Sequence, residues 1–406
     1  MLIAVVGGGA SGMMAAFAAA KNGALVTLFD KNEKLGKKLF ISGKGRCNLT
    51  NDSEISEHMN NVVTNPRFLF SSYGALSPFD LMKLVSSYGT PLKTERGGRV
   101  FPVSDKSSDV INAFKRMLSD AKVEIKLNEG VRKIEKTNDR FHIKTEKGEY
   151  DFDKVILCTG GATYRATGST GDGYRFAGAF GHTVTPLFPA LVGIRAEIPD
   201  DLAGLSLKNV ELSAYKKGKK IYSEFGEMLF THSGISGPLV LTLSSKINKF
   251  DLKEINLSID LKPALTEETL SARLVREFSA APNKSVKNVF ASLMPRSLIP
   301  FVLEQSGVSE NKACNEITKK ERADLVSVIK KLPIIPNDFE EFNGAIVTSG
   351  GVKTSEVDPK DMQSKLVNGL YFAGELLDVD ALTGGFNLQI AFSTGYLAGT
   401  AAANAC

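Results

Sequence analysis

The sequence predicts an α/β fold in which a parallel-sheet, nucleotide-binding domain is interrupted by an inserted β-rich domain carrying a helical subdomain. Three observations predict it. An apolar run opens the chain and ends in a glycine-rich turn followed by a helix. A second run, Val155–Cys158, ends in Thr159-Gly160-Gly161. A third, Gly369–Ala373, ends in Gly374-Glu375 and leads to a long helix of small residues. Strands buried on both faces read as continuous apolar runs, and glycines at their ends let a ligand approach the sheet edge.

The first run is Leu2–Val6, followed by Gly7-x-Gly9-x-x-Gly12, an alanine-rich helix over Met13–Asn22, and a second run, Leu25–Phe29, closed by Asp30 and Lys31. Gly7 permits the tight turn, Gly9 lets backbone approach a pyrophosphate, and Gly12 lets the helix pack on the strand. The helix start, with Ala10 and Ser11, offers free N–H groups to the phosphates. Asp30, about 20 residues on, is placed to accept hydrogen bonds from a ribose. This is the pattern of a Rossmann-type dinucleotide site, although the motif alone does not separate FAD from NAD.

The later segments decide for FAD. Together they resemble the glutathione-reductase-like FAD superfamily, which implies one FAD held non-covalently. The resemblance places Thr159, Gly160 and Gly161 at the crossover, and Gly374 and Glu375 along the ribityl chain. It also places the lead-in Thr383-Gly384-Gly385-Phe386-Asn387-Leu388-Gln389 beneath the flavin ring, at the head of a helix reaching Ala403. A positive helix end there stabilises negative charge on reduced flavin. Val131, in a strand over Asn128–Ile134, either meets the adenine, as in that superfamily, or is core.

Bulk properties narrow the classes. At 406 residues, two or three domains are expected, and 43% hydrophobic with 23% charged residues is a globular balance rather than a disordered one. The formal charge of +5 suits a nucleic-acid partner or an anionic cofactor equally. Cys47, Cys158, Cys314 and Cys406 form no C-x-x-C, which argues against a disulfide framework, a metal cluster and a redox dithiol. Free thiols point to a reducing compartment, the cytoplasm. Leu2–Ala20 imitates a signal peptide but lacks a basic lead and is broken by glycines. No run of about 20 apolar residues predicts a membrane span.

Specific motifs carry a closer resemblance. These are Lys34-Leu35-Gly36-Lys37-Lys38, Ile41-Ser42-Gly43-Lys44-Gly45-Arg46-Cys47-Asn48-Leu49-Thr50-Asn51, Gly98-Arg99-Val100-Phe101-Pro102, Gly168-Ser169-Thr170-Gly171-Asp172-Gly173, Phe230-Thr231-His232-Ser233-Gly234-Ile235-Ser236-Gly237-Pro238, and Thr348-Ser349-Gly350-Gly351-Val352. Over nearly its full length the chain resembles the BaiN/RdsA, or YhiN-like, family of NAD(P)/FAD-dependent oxidoreductases. One departure is Tyr164-Arg165, where the family more often has an aromatic followed by proline. The resemblance implies an FAD domain over 1–190 and 345–406 and an inserted substrate domain over 191–344. Of the insertion, 191–262 and 333–344 are expected to be β-rich and 263–332 helical. It also implies that Lys38, Ser42, Gly43, Gly45, Arg46, Cys47 and Asn48 contact the cofactor.

Such families carry three activities: reduction of a uridine of 23S ribosomal RNA to dihydrouridine, reduction of a conjugated double bond in bile-acid intermediates, and amine oxidation. The first two share one reaction, in which a hydride adds to a carbon conjugated with a carbonyl and an acid protonates its neighbour. Cys47, His232 and Tyr164 are the candidate acids, and Arg99 a candidate anion or carbonyl clamp. A buried cysteine is more often packing, which is the competing reading of Cys47. No second strand-G-x-G-x-x-G-helix unit occurs, so NAD(P)H is expected as a transient reductant, visiting the flavin in turn with the substrate. The expectation is an FAD-dependent reductase with ribosomal RNA favoured as substrate. A small-molecule flavoenzyme and a non-catalytic flavin-binding module are the alternatives, and the oligomeric state is left open. Lys216-Lys217-Gly218-Lys219-Lys220 and Lys319-Lys320 fit RNA or ordinary solvated surface.

Overall fold

The computed structural model describes residues 1–404, and Cys406 lies outside them. The chain divides into two compact units, Met1–Ala190 with the chain from Phe342 onward, and Leu191–Glu341.

The first unit contains β1 (Leu2–Val6), α1 (Ala10–Lys21), β2 (Leu25–Phe29), α2 (Lys37–Ile41), β3 (Leu92–Glu95), β4 (Arg99–Pro102), α3 (Ser107–Asp120), β5 (Glu124–Lys126), β6 (Lys154–Leu157), β7 (Leu370–Phe372) and α4 (Phe386–Asn404). Five strands form one parallel sheet in the order β7-β6-β1-β2-β5. Val5 lies opposite Ile156 and Leu28 in register, and all three are fully buried. Each such side chain contributes about 1.5–3 kcal/mol by leaving water. This covered, parallel arrangement explains why the strands read as unbroken apolar runs.

Helix α1 packs on this sheet, and α4 packs on α1. A Cβ at Gly395 would lie 2.3 Å from the carbonyl oxygen of Ser11, and one at Gly399 would lie 2.2 Å from that of Ala15. The small residues of α4 therefore do allow close packing, so that the two backbones nearly touch. The hairpin β3–β4 pairs with a short strand, Thr50–Asn51. A three-stranded antiparallel sheet, Val131–Thr137, Arg140–Thr145 and Glu149–Phe152, completes the unit. The strand expected from Asn128 begins only at Val131, because Asn128 adopts a positive φ of 50°.

The second unit is a seven-stranded antiparallel sheet with helices. Its strand order is Leu332–Ile334, Ile255–Asp260, Ser206–Lys216, Lys219–Thr231, Gly234–Ser236, Ile194–Ala196 and Pro336–Phe339. Residues Pro238–Ile247 form a helix where alternation had suggested strands. Gly237 turns the chain at φ 94° and Pro238 sits in the first helical turn, where its ring is already set for a helix. The helical region starts on capped ends: Thr266 caps Glu267–Ala280, and a Thr318–Glu321 capping box opens Lys319–Lys330. Among the described residues no helix is long and apolar enough to cross a membrane, and no group of His, Cys, Asp and Glu is arranged to hold a metal.

Candidate cofactor site

The glycine turn behaves as its spacing requires. Gly7 has φ 106° and donates to the Phe29 carbonyl. A Cβ at Gly12 would lie 1.7 Å from the Gly7 carbonyl oxygen, so only glycine lets α1 start there. Gly9 differs: its backbone is extended, φ −80°, and a Cβ there would meet nothing within 4 Å. Its lack of a side chain leaves open space rather than relieving a clash. Helix α1 has no side-chain cap and no acid in its first turn, so its first N–H groups and positive end remain available to an anion.

Asp30 closes β2. Its Oδ2 accepts from the Gly8 N–H at 2.6 Å, and its Oδ1 from the Asn32 N–H at 2.7 Å and Asn32 Nδ2 at 2.9 Å. Burial pushes the carboxyl above the usual range, with these bonds pulling the other way. Lys31 is paired with Asp172 at 2.6 Å. On the opposite wall Lys38 Nζ meets Glu375 Oε2 at 2.6 Å and Thr163 Oγ1 at 2.8 Å. Glu375 Oε1 accepts from the Thr348 N–H at 2.9 Å. Asn387 braces the turn before α4 through Ala381, accepting from its N–H at 2.9 Å and donating to its carbonyl at 2.6 Å.

These residues surround a cleft of about 1370 Å³, its open mouth included. It brings together Gly7, Gly9, Ala10, Ser11, Asp30, Lys31, Lys38, Ser42, Val131, Thr159, Gly160, Glu375, Asn387 and Leu388. Thr159 Oγ1 is buried without a hydrogen-bond partner. Asn32, Glu129 and Gly168 also line the cleft; sequence reasoning missed the first two because loop residues carry no periodic signal, while Gly168 lay in a quoted motif without an assigned role. Thr348, which orients Glu375, lay in a quoted motif without an assigned role.

Other expected site residues stand behind the lining. Gly161 lets Thr348 and Glu375 pack close, a Cβ there lying 2.4 Å from Thr348 Oγ1. Gly374 and Gly385 allow equally close approach to Ser11 and Thr50, and Phe386 packs edge-on against His58. Gln389 is fully buried and committed to Thr50, Leu76 and Ser393, so its side chain fixes α4. Gly43, Gly45 and Asn48 belong to a loop set against β4, where a Cβ at Gly43 would lie 3.4 Å from Phe101. Arg46 fastens that loop, stacking on Phe101 at 3.9 Å and pairing with Glu95 at 2.7 Å.

The four catalytic candidates are not gathered at one point. Cys47 is fully buried at φ 60°, and burial pushes its thiol up to about 12. Tyr164 is half-buried, its ring 5.7 Å from Lys38 Nζ. Arg99 is exposed on the β3–β4 hairpin and donates to the Arg96 carbonyl. His232 is exposed in a turn of the second unit.

The open space at Gly9, the two helix starts free of acids and the partnerless Thr159 hydroxyl fit a dinucleotide with a ring system at one end. Fold and site together define an FAD-dependent oxidoreductase of the Rossmann type. The chain belongs to the HI0933-like protein Rossmann domain family, whose model matches residues 1–401. It is 33% identical over 406 residues to the 3-dehydro-bile acid delta(4,6)-reductase of Clostridium scindens, covering 99% of this chain and 98% of that protein. It is 32% identical over 400 residues to the ribosomal RNA dihydrouridine synthase of Haemophilus influenzae, covering 97% and 96%. The solved 3-ketosteroid-delta4-(5alpha)-dehydrogenase of Rhodococcus jostii RHA1 shares the fold, with a TM-score of 0.54 at 13% identity, covering 99% and 96%.

Proposed function

We propose that this protein reduces a carbon–carbon double bond conjugated to a carbonyl, with a uridine of 23S ribosomal RNA as the favoured substrate and NAD(P)H as a transient reductant in the cytoplasm. The observation that carries the redox reading is the single cleft running from the uncapped start of α1 to Asn387 and Leu388 at the start of α4. FAD held there supplies the hydride for such a reduction. The N–H groups at the start of α1 would hold its pyrophosphate, and Asp30, oriented by Gly8 and Asn32, would accept from its ribose. The Lys38–Glu375 pair lies at the wall of the cleft, and the start of α4 would offer positive potential to negative charge on a reduced flavin.

Of the four candidate acids and clamps, Tyr164 is half-buried beside the cleft, its ring 5.7 Å from the Nζ of the cleft-lining Lys38, whereas Cys47, bonded to the cleft-lining Ser42, is itself fully buried. We assign Tyr164 the proton given to the substrate. Cys47, with its thiol held near 12 inside the core, is a packing residue in this reading. Both relatives' names describe saturation of a conjugated bond, and the net charge of +5 is compatible with a polyanionic substrate.

The test is mass spectrometry of dihydrouridine in 23S ribosomal RNA from cells with and without the gene. Loss of one dihydrouridine that a wild-type copy restores, and a Tyr164→Phe copy does not, is the expected result. An unchanged profile moves the substrate to a small conjugated carbonyl and leaves the cofactor reading intact.

A further inference from the structure

The β3–β4 hairpin is tied to the α4 end of the cleft. Asn51 Nδ2 donates to the Gly97 carbonyl at 2.9 Å and to the Gly384 carbonyl at 3.1 Å, bridging the hairpin tip to the turn that begins α4. At its other end, the Ser107 hydroxyl donates to the Phe40 carbonyl at 2.7 Å. The start of α3, with Lys106, therefore abuts the end of α2.

Charge along this strip is unevenly satisfied. Of its three acids, Glu95 is taken by Arg46 at 2.7 Å and Asp105 by Lys93 at 2.6 Å and Arg46 at 3.5 Å, while Asp52 accepts from the Thr94 hydroxyl at 2.9 Å. Lys44, Arg96, Arg99 and Lys106 are exposed, and among the described residues none has a carboxylate within 4.0 Å. Between them stand apolar side chains that would ordinarily be covered, with Phe40 and Val103 each 53% exposed and Ile41 42%.

We propose that this strip is a track for single-stranded RNA, leading its bases to the α4 end of the cleft; the proposal rests on the ribosomal-RNA reading above. Unpaired cations along a surface take successive phosphates, and exposed aromatic and aliphatic side chains between them take base faces. Length separates this from a site for one small anion. The three strand steps from Arg99 to Pro102 alone span about 10 Å, with Lys106 beyond. One carboxylate cannot meet both ends, whereas a strand of phosphates can.

The experiment compares the FAD-loaded full chain with its K44Q/R96Q/K106Q variant, using a short fluorescein-labelled oligouridylate and anisotropy across a salt series. A K319Q/K320Q/K331Q variant, losing equal charge from the second unit, is the control. The wild type is expected to show log affinity falling linearly with log salt. The hairpin variant is expected to be shallower by about 2, at about 0.7 per lost phosphate contact, and the control to match the wild type. Unchanged flavin absorbance and melting temperature verify that the variants are folded, since none of the hairpin side chains gives up a carboxylate partner. A hairpin variant with the wild-type slope, or a loss seen only in the control, overturns the track and leaves the RNA reading standing. A wild type whose binding does not respond to salt overturns both.

Discussion

Lys38 and Glu375 meet at 2.6 Å across 337 residues of sequence, joining the segment after β2 to the segment after β7 at the wall of the cleft. The pair is partly buried, with side-chain exposures of 27% and 19%, and Thr163 and Thr348 complete its hydrogen bonds.

Lys38→Met should lower stability by about 1–2 kcal/mol, because it leaves a half-buried carboxylate without its cation. Flavin affinity should fall with it. Glu375→Gln keeps an acceptor for the Thr348 N–H and should melt closer to wild type. Thermal melts and flavin titration of the two variants check this. Equal losses in both would mean that the ion pair itself, rather than the hydrogen bonds around it, carries the stability.

Gly9 and Gly12 should fail differently when changed to alanine. At Gly9 the added methyl meets no protein atom within 4 Å, so the variant should fold and melt near wild type yet purify without yellow colour. At Gly12 the methyl collides with the Gly7 carbonyl, so both fold and flavin should be lost. Flavin absorbance against circular dichroism separates the two outcomes, and a fully flavinated Gly9→Ala would remove Gly9 from the pyrophosphate site.

Stability should decline in mild acid. His182 is buried, and its Nε2 lies 2.7 Å from Ser364 Oγ. That hydroxyl already accepts from the Leu366 and Val367 N–H groups, so it donates to Nε2 and the ring is neutral. Burial lowers the folded pKa of His182 below 6.5, more than Glu356 raises it, and burial also lowers that of His58. The unfolded chain therefore binds more protons below about pH 6.5, so stability is full above that value and falls as pH drops through it. Urea midpoints measured from neutral pH to about pH 5 should fall, and His182→Gln should flatten the fall. A pH-independent midpoint would contradict both assignments.

Thiol chemistry should be silent in the native state. Cys47, Cys158 and Cys314 are buried, and burial pushes the first two up to about 12, leaving little thiolate to react. In a Cys406→Ser background, an aromatic disulfide reagent should release no colour until guanidinium is added. Rapid labelling of Cys47 in the folded protein would reopen its role as an acid.

Regular packing was legible and loop geometry was not. The strand runs at Val5, Ile156 and Leu28 announced a covered parallel sheet, and Gly7, Gly9 and Gly12 announced the turn, because each physical demand admits few residue types. Asn387 and Gln389 were legible as important, but the structure gives Gln389 to Thr50, Leu76 and Ser393, pairings too distant in sequence to be read from it. Asn32 and Glu129 enter the cleft from irregular backbone, where no period marks them. The helix Pro238–Ile247 was hidden because a short apolar run suits strand and helix alike.

The contact of α1 with Gly395 and Gly399 also bears on synthesis. Thr50 meets Gln389 across 339 residues, which a ribosome needs roughly half a minute to translate. Throughout that interval the alanine face of α1 has no α4 to cover it, and the far wall of the cleft does not yet exist. Cofactor loading is thereby deferred until α4 has been made, so the yellow colour marks a chain whose two halves have already found each other.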